Sequence, residues 1–137
     1  MFKENPYFAK SDIRGSLVVV LRGTFEDRGL SLIKPISRAV KKHEIHELII
    51  SDEKDIGPGS TVNKIAYLGF LEVEEGGVII SGDTLLLNDK PVGIVAGFDE
   101  THMPNHQNIV IYCDERITGE LLGCKVGDSI VFRLTGE

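Results

Sequence analysis

Glycine interrupts this sequence at short and frequent intervals. The 137 residues include 15 glycines that are scattered along the chain, and the runs between them are rich in Val, Ile, Leu and Phe. Runs of this kind, separated by Gly, Asn and Asp, are typical of strands joined by tight turns. A chain patterned in this way is expected to form an antiparallel sandwich or barrel.

The pattern predicts about nine short, mostly antiparallel strands. We place them at 16–22, 30–33, 44–50, 65–73, 78–81, 84–87, 91–98, 108–113 and 129–134. Only one short helix is predicted, over 36–42, because Ile36, Ala39 and Val40 follow a helical spacing and Pro35 suits the start of a helix.

A sheet of this many strands must cover or close its edges, because an exposed edge invites pairing with other chains. Closure into a barrel with the short helix over one end meets this requirement, and a two-sheet sandwich is the alternative. No internal repeat and no Pro- or Ser-rich linker interrupts the pattern. The sequence therefore predicts an all-β, barrel-like single domain over residues 1–137.

Composition and charge exclude several classes of partner. Hydrophobic residues make up 42% of the chain and charged residues 26%, which is ordinary for a globular domain and argues against disorder. The formal net charge of −6 repels the phosphates of nucleic acids and of anionic membranes. We therefore expect neither a nucleic acid nor a membrane as a partner.

Cysteine usage and the absence of long apolar runs predict a cytoplasmic location. Cys113 and Cys124 do not form a Cys-x-x-Cys pair, and two cysteines in a chain of this size are interpreted as reduced thiols. Segment 1–6 has no basic region followed by an apolar run, so no signal peptide is visible. The longest apolar run, 17–21, is too short to span a bilayer.

The densest group of polar side chains lies in the segment 99–108. Two imidazoles and two carboxylates occur there, together with amides that include those of Asn105 and Asn108; the candidate residues are His102, His106, Asp99, Glu100, Asn105 and Asn108. The two histidines could bind one divalent metal ion, with Asp99 or Glu100 as a harder third ligand. Loops on a rigid scaffold are frequent locations of binding sites, so this segment is the principal candidate.

Two other interpretations of the same segment remain open. His102 or His106 could act as a general base or accept a phosphoryl group, with a carboxylate to orient the imidazole. Alternatively, the segment is a polar surface loop in which Asp99 and Asn105 cap turns through bonds to the backbone. Pro104 separates the two histidines and excludes a shared helix face.

Other polar residues are weaker candidates. Asn63 and Lys64 follow a Gly-rich loop and could line a ligand pocket. His43 and His46 point to opposite faces if they lie on a strand, so they are interpreted as a solvated strand entry. Cys113 is followed by two carboxylates, which raise the pKa of a thiol and make it a poor nucleophile.

The C-terminal part of the chain resembles a known family. The resemblance rests on the strand end at 95–97, the polar segment, the strand over 108–112, the turn at Thr118 and Gly119, and the closing run over 126–132. This order is similar to the glucitol/sorbitol-specific enzyme IIA proteins of the sugar phosphotransferase system. The resemblance implies a small cytosolic β-barrel that passes a phosphoryl group through histidine. The whole chain also resembles a family of uncharacterised small prokaryotic proteins, on segments 25–30 and 97–106.

The leading functional hypothesis is a small-molecule- or metal-binding module, which could be regulatory, that uses the segment 99–108 with Asn63 and Lys64. The alternative is a phosphocarrier or small enzyme that depends on His102 or His106. A third hypothesis is a subunit that forms homo-oligomers through a sheet edge. A divalent metal is the one cofactor that the residues suggest.

Overall fold

Residues 11–134 are described by a computed structural model, and nearly all of the regular structure in them is β. The strands are β1 (Ile13–Val20), β2 (Thr24–Phe25), β3 (Leu30–Ser31), β4 (Ser37–Val40), β5 (Ile45–Ser51), β6 (Thr61–Val62), β7 (Ile65–Glu75), β8 (Gly77–Ile80), β9 (Thr84–Leu87), β10 (Lys90–Asp99), β11 (Asn108–Tyr112) and β12 (Ser129–Arg133). One helix, α1 (Gly119–Leu122), precedes the last strand.

Seven of the strands close into a ring. Their order is β1, β12, β9, β10, β11, β5 and β7, and β7 pairs again with β1. Every neighbouring pair in the ring is antiparallel except β11 and β5, which run parallel. Strand β2 extends the sheet from β7, while the pairs β3–β6 and β4–β8 form two small additional sheets. The predicted all-β fold with mostly antiparallel strands is confirmed.

The interior of the ring holds the larger of two hydrophobic clusters. Every ring strand contributes to it, with Leu17, Leu48, Leu71, Phe98 and Phe132 among the residues that are fully buried. Successive side chains of a strand point to opposite faces. This alternation lets strands that are buried on both faces contribute to a second cluster outside the ring.

The second cluster covers the outer face of the ring at β5 and β11. It contains Ile49 and Val110, which alternate with the interior residues of those strands, and it also contains Leu30, Leu32 and Val62 from the β3–β6 sheet. The segment around β3 and β6 therefore packs against the outside of the ring. This outer layer accounts for the continuous apolar run at the end of β5.

The predicted helix over 36–42 is wrong. Ser37–Val40 forms β4, which pairs with β8 in the register Ser37↔Ile80 to Val40↔Gly77. Two helical turns containing β-branched residues are weak, and pairing with an available strand overrides them. The helix lies instead at Gly119–Leu122, where a turn was expected.

The strand count also differs from the prediction. Twelve strands occur within residues 11–134 instead of about nine, because the two-residue strands β2 and β6, and β4 in place of the helix, were not expected. The predicted absence of a signal peptide concerns residues 1–6, which lie outside the described residues. None of the helices within 11–134 is long and apolar enough to cross a membrane.

Candidate functional site

A row of four side chains crosses the outer face of the ring where β5 and β11 begin. The strand registers place Asp99 opposite Asn108, Asn108 opposite Glu47, and Glu47 opposite Phe70. Asn108 and Glu47 lie two residues before Val110 and Ile49 of the outer cluster, so they share its face. The parallel pairing of β5 and β11 brings their first residues to the same end of the ring.

Asp99 fixes the beginning of the 99–108 loop. Its carboxylate is almost completely buried and accepts hydrogen bonds from the backbone N–H of Ser31 (3.0 Å), the backbone N–H of Thr101 (2.9 Å) and Nδ2 of Asn108 (3.2 Å). Burial raises the pKa of Asp99, but these hydrogen bonds, led by those from Thr101, outweigh it and lower the pKa. The capping role expected for Asp99 is therefore present.

Arg38 and His46 hold the other parts of the loop. The Nη1 atom of Arg38 contacts Glu100 at 3.0 Å, and Nε donates to Oε1 of Gln107 at 3.0 Å. The backbone N–H of Gln107 donates to Nδ1 of the buried His46 (2.9 Å), so the proton of neutral His46 lies on Nε2 and is donated to Glu44. The loop is thereby attached to β4 and β5.

Glu47 and His106 lie at the centre of a site that we call the histidine site. Asn108 and Arg28 complete it, and His102 lies at its mouth. Oε1 of Glu47 lies 3.5 Å from Nε2 of His106, and the side chains are only 10% and 14% exposed. The His106 ring meets the edge of Phe70 at 5.2 Å and lies 5.0 Å from the His102 ring, centroid to centroid.

Two buried polar atoms of this site have no hydrogen-bond partner among the described residues. They are Nε2 of His106 and Oδ1 of Asn108. The separation of 3.5 Å between Nε2 and Glu47 is too long for a hydrogen bond. The amide of Asn108 cannot be turned round, because its nitrogen donates to the carboxylate of Asp99.

Burial shifts the pKa values of Glu47 and His106 toward each other. It raises the pKa of Glu47, and the positive charge of Arg28 opposes this shift only in part. It lowers the pKa of His106, and protonation of His102 or His46 would act in the same direction, while the nearby side chain of Asn108 opposes the shift. A carboxyl group with a raised pKa beside an imidazole with a lowered pKa is an arrangement that acid–base pairs in enzymes use.

The guanidinium group of Arg28 supplies positive charge to the histidine site. It lies in the turn between β2 and β3, where its backbone N–H donates to the carbonyl of Asn63 (3.1 Å). The residue is half-buried, and within residues 11–134 its guanidinium makes no hydrogen bond or ion pair. It is close enough to Glu47 to lower the pKa of that carboxyl group.

The structure brings together some of the predicted site residues and not others. His102 and His106 are adjacent, Asn108 lies beneath them, and Asn105 is exposed on the same loop. Glu100 is paired with Arg38. Asn63 and Lys64 bond through their backbone N–H groups to Glu53, at 2.8 and 2.6 Å, and their hydrogen bonds do not reach the 99–108 loop.

The metal site proposed from His102, His106 and Asp99 stays a prediction. The carboxylate oxygens of Asp99 already accept three hydrogen bonds. In the described part of the chain, no group of three or more His, Cys, Asp or Glu side chains is arranged to hold a metal ion. The carboxylate beside His106 is Glu47, which the sequence did not suggest.

Sequence reasoning missed Glu47, His46 and Arg28. The interpretation as a solvated strand entry holds for His43, which is 74% exposed, but it is wrong for His46, which is 6% exposed. One signal was present: a strand that is apolar on both faces is buried on both faces, so polar residues at its start need partners. The partners come from β11 and its preceding loop, about 60 residues later.

Both cysteines are free thiols in the structure. Burial and then the charge of Asp114 raise the pKa of Cys113 to about 11, so the expected poor nucleophile is confirmed, although burial is the larger cause. Cys124 is also shifted upward, by burial first and by Asp128 second.

Comparison with known proteins gives a family. The model of a family of unknown function (DUF6917) matches residues 7–133, so the chain belongs to this family. No curated protein and no solved structure matches the chain.

Proposed function

We propose that this member of the DUF6917 family binds a small molecule with a negatively charged group at the histidine site. The observation that carries the proposal is the pair of unpartnered buried atoms, Nε2 of His106 and Oδ1 of Asn108. Buried polar atoms are nearly always hydrogen-bonded, and each one left without a partner costs about 1–3 kcal/mol. A ligand that supplies both missing bonds would recover this free energy.

The surrounding groups indicate the chemistry of the ligand. Oδ1 of Asn108 can only accept, so the ligand must offer it a donor, such as a hydroxyl group or an amide. Arg28 offers guanidinium donors that suit a carboxylate or a phosphate. Glu47 opposes this positive charge only when it is ionised, and its raised pKa makes ionisation less favourable. Small hydroxy acids combine both features.

The test is a binding experiment with small hydroxy acids. We would titrate the protein with lactate, malate and glycerate, and follow the imidazole signals of His106 and His102 by NMR together with the melting temperature. We expect at least one acid to shift the His106 signals and to raise the melting temperature, since a ligand that binds only the folded state stabilises it. Acetate, which lacks the hydroxyl donor, should bind more weakly.

Variants at the site and away from it make this experiment specific. His106→Gln and Arg28→Ala should each abolish the thermal shift. His43→Asn is the matched control, because His43 is exposed and Asn tolerates its positive φ of 78°. Failure of all three acids to shift His106, or binding that persists in both site variants, would contradict the proposal.

A second candidate function is proton-transfer catalysis at the same site. The pKa of Glu47 is raised while that of His106 is lowered, which is the arrangement used to hold a proton between an acid and a base. We would incubate pyruvate with the protein in D₂O and follow exchange of its methyl protons by NMR. Exchange that Glu47→Gln and His106→Gln both remove would support this function, and exchange no faster than in buffer would argue against it.

A further inference from the structure

A cleft lies at the end of the ring opposite the histidine site. Its volume is about 620 Å³, and it is formed by the hairpin between β9 and β10, the segment that follows β11, and α1. We call it the α1 cleft. Cavities of roughly 300–1,000 Å³ hold typical small-molecule ligands, and the mouths of closed sheets are frequent locations for them.

The floor of the α1 cleft is apolar and belongs to the interior core. Leu87, Val92 and Leu122 line the cleft, and all three are partly buried and pack against the interior cluster. Cys113, which is 6% exposed, completes the floor. A hydrocarbon group that enters the cleft would therefore contact a surface continuous with the core, and would lose contact with water as it does so.

The rim of the cleft is negatively charged. Among residues 11–134, three carboxylates line the cleft (Asp114, Glu115 and Asp128), and the one ammonium group is that of Lys90. Glu115 is exposed and makes no ion pair within residues 11–134. The charge of Asp114 also acts on the thiol of Cys113 in the floor, where it adds to burial in raising the pKa.

We propose that the α1 cleft binds a protonated primary amine carried on a short hydrocarbon body. The apolar floor accepts the hydrocarbon, and the carboxylates of the rim accept hydrogen bonds from the ammonium group. Among residues 11–134, no aromatic side chain lines the cleft. Sites for quaternary ammonium ions use aromatic rings, so the cleft suits an ammonium group that donates hydrogen bonds.

The test compares four six-carbon probes on the intact protein at neutral pH. We would titrate with hexylamine, hexanol, hexanoate and hexyltrimethylammonium and follow backbone amide signals by NMR. Hexylamine should shift the amides of Val92, Cys113 and Leu122 with saturation. The other three probes should bind about threefold more weakly, since none of them can donate charge-assisted hydrogen bonds to the carboxylates of the rim.

Variants separate charge recognition from simple apolar binding. The double change Asp114→Asn and Glu115→Gln should weaken hexylamine about threefold to tenfold, whereas Glu75→Gln, an exposed change outside the cleft, should not. Leu122→Trp should fill the cleft and abolish binding. The proposal is overturned if hexanol or hexyltrimethylammonium binds as tightly as hexylamine, if the double variant keeps full affinity, or if no probe shifts the cleft amides. These outcomes are independent of ligand binding at the histidine site.

Discussion

The carboxyl group of Glu47 lies where ionisation is unfavourable, because the residue is 8% exposed and no hydrogen bond from residues 11–134 replaces the lost water. Its pKa in the folded protein is raised above the usual value of 4.5. The folded state therefore binds this proton more tightly than the unfolded state does. The stabilisation from Glu47 is complete below pH 4.5 and is lost as the pH rises through the folded-state pKa.

This linkage predicts how the melting temperature of Glu47→Gln depends on pH. The variant is neutral at every pH, so its stability relative to the natural protein should increase between pH 4 and pH 8. Thermal denaturation followed by circular dichroism at several pH values measures this difference. Glu75→Gln is the control, since Glu75 is 67% exposed, and its difference should stay nearly constant. A relative stability of Glu47→Gln that falls with pH would show that Glu47 is stabilised as a carboxylate.

Gly69 in β7 is required because another strand comes too close for a side chain. A Cβ atom at this position would meet the carbonyl oxygen of Val19 in β1, whereas a Cβ atom at Gly57 would meet open space. We expect Gly69→Ala to lower the free energy of unfolding by about 1–3 kcal/mol, and Gly57→Ala to change it by less than about 0.5 kcal/mol. Urea denaturation of both variants tests this, and equal stabilities would contradict the close approach of β1 and β7.

The helix α1 depends on Thr118, the residue that precedes it, for a stable start. Oγ1 of Thr118, which is buried, accepts a hydrogen bond from the backbone N–H of Leu121 at 3.2 Å, and Gly123 ends the helix with a φ of 84°. A helix of four residues has few internal hydrogen bonds, so this cap represents a large part of its stability.

Replacement of Thr118 separates the hydroxyl group from the shape of the side chain. Thr118→Val keeps the shape and removes the acceptor, so we expect a loss of about 1 kcal/mol in urea denaturation. Thr118→Ser keeps the acceptor and should retain the cap, which hydrogen exchange at the amide of Leu121 reports. A Val variant whose Leu121 amide stays as protected as in the Ser variant would show that the cap is dispensable.

The sequence patterns predict the long strands better than the short elements, for physical reasons. The long strands β5, β7, β10 and β11 are evident because β-branched runs bounded by turn residues have few other structures available. The helix over 36–42 was predicted wrongly because its spacing fits three apolar residues, while pairing with β8 is a tertiary effect that no local pattern contains. A helix as short as α1 lies below the length at which periodicity can be recognised.

The candidate site was predicted in part for a related reason. His102, His106 and Asn108 lie in one polar segment, so local density is enough to identify them. Glu47 and Arg28 join them only because β5 lies parallel to β11 and because the β2–β3 turn packs on the outside of the ring. Neither relationship leaves a local trace in the sequence.

At the scale of the whole molecule, the interior and outer clusters could unfold together as one cooperative unit or separately as two. The single-domain prediction stays untested, and Leu17 and Leu30 offer a direct test because both are fully buried, one in each cluster. Replacement of either by Ala removes similar apolar contacts and should lower the free energy of unfolding by about 2–5 kcal/mol.

If the molecule unfolds as one unit, Leu17→Ala and Leu30→Ala should both lower the midpoint of a single urea transition. Circular dichroism and the hydrogen exchange of interior amides should then report the same midpoint for each variant. A Leu30→Ala variant that keeps the global midpoint and loses protection only around β3 and β6 would show that the outer layer unfolds by itself.

The hydrogen bond from Gln107 to His46 joins residues that are 61 positions apart, across the one parallel pair of the ring. A parallel neighbour cannot be reached through a hairpin, so this contact closes a long loop, and the entropy cost of closure favours its formation after local hairpins. The buried imidazole is thus a natural reporter of late events in folding. Its NMR signals should reach their native positions only after the signals of the hairpin between β9 and β10 have done so.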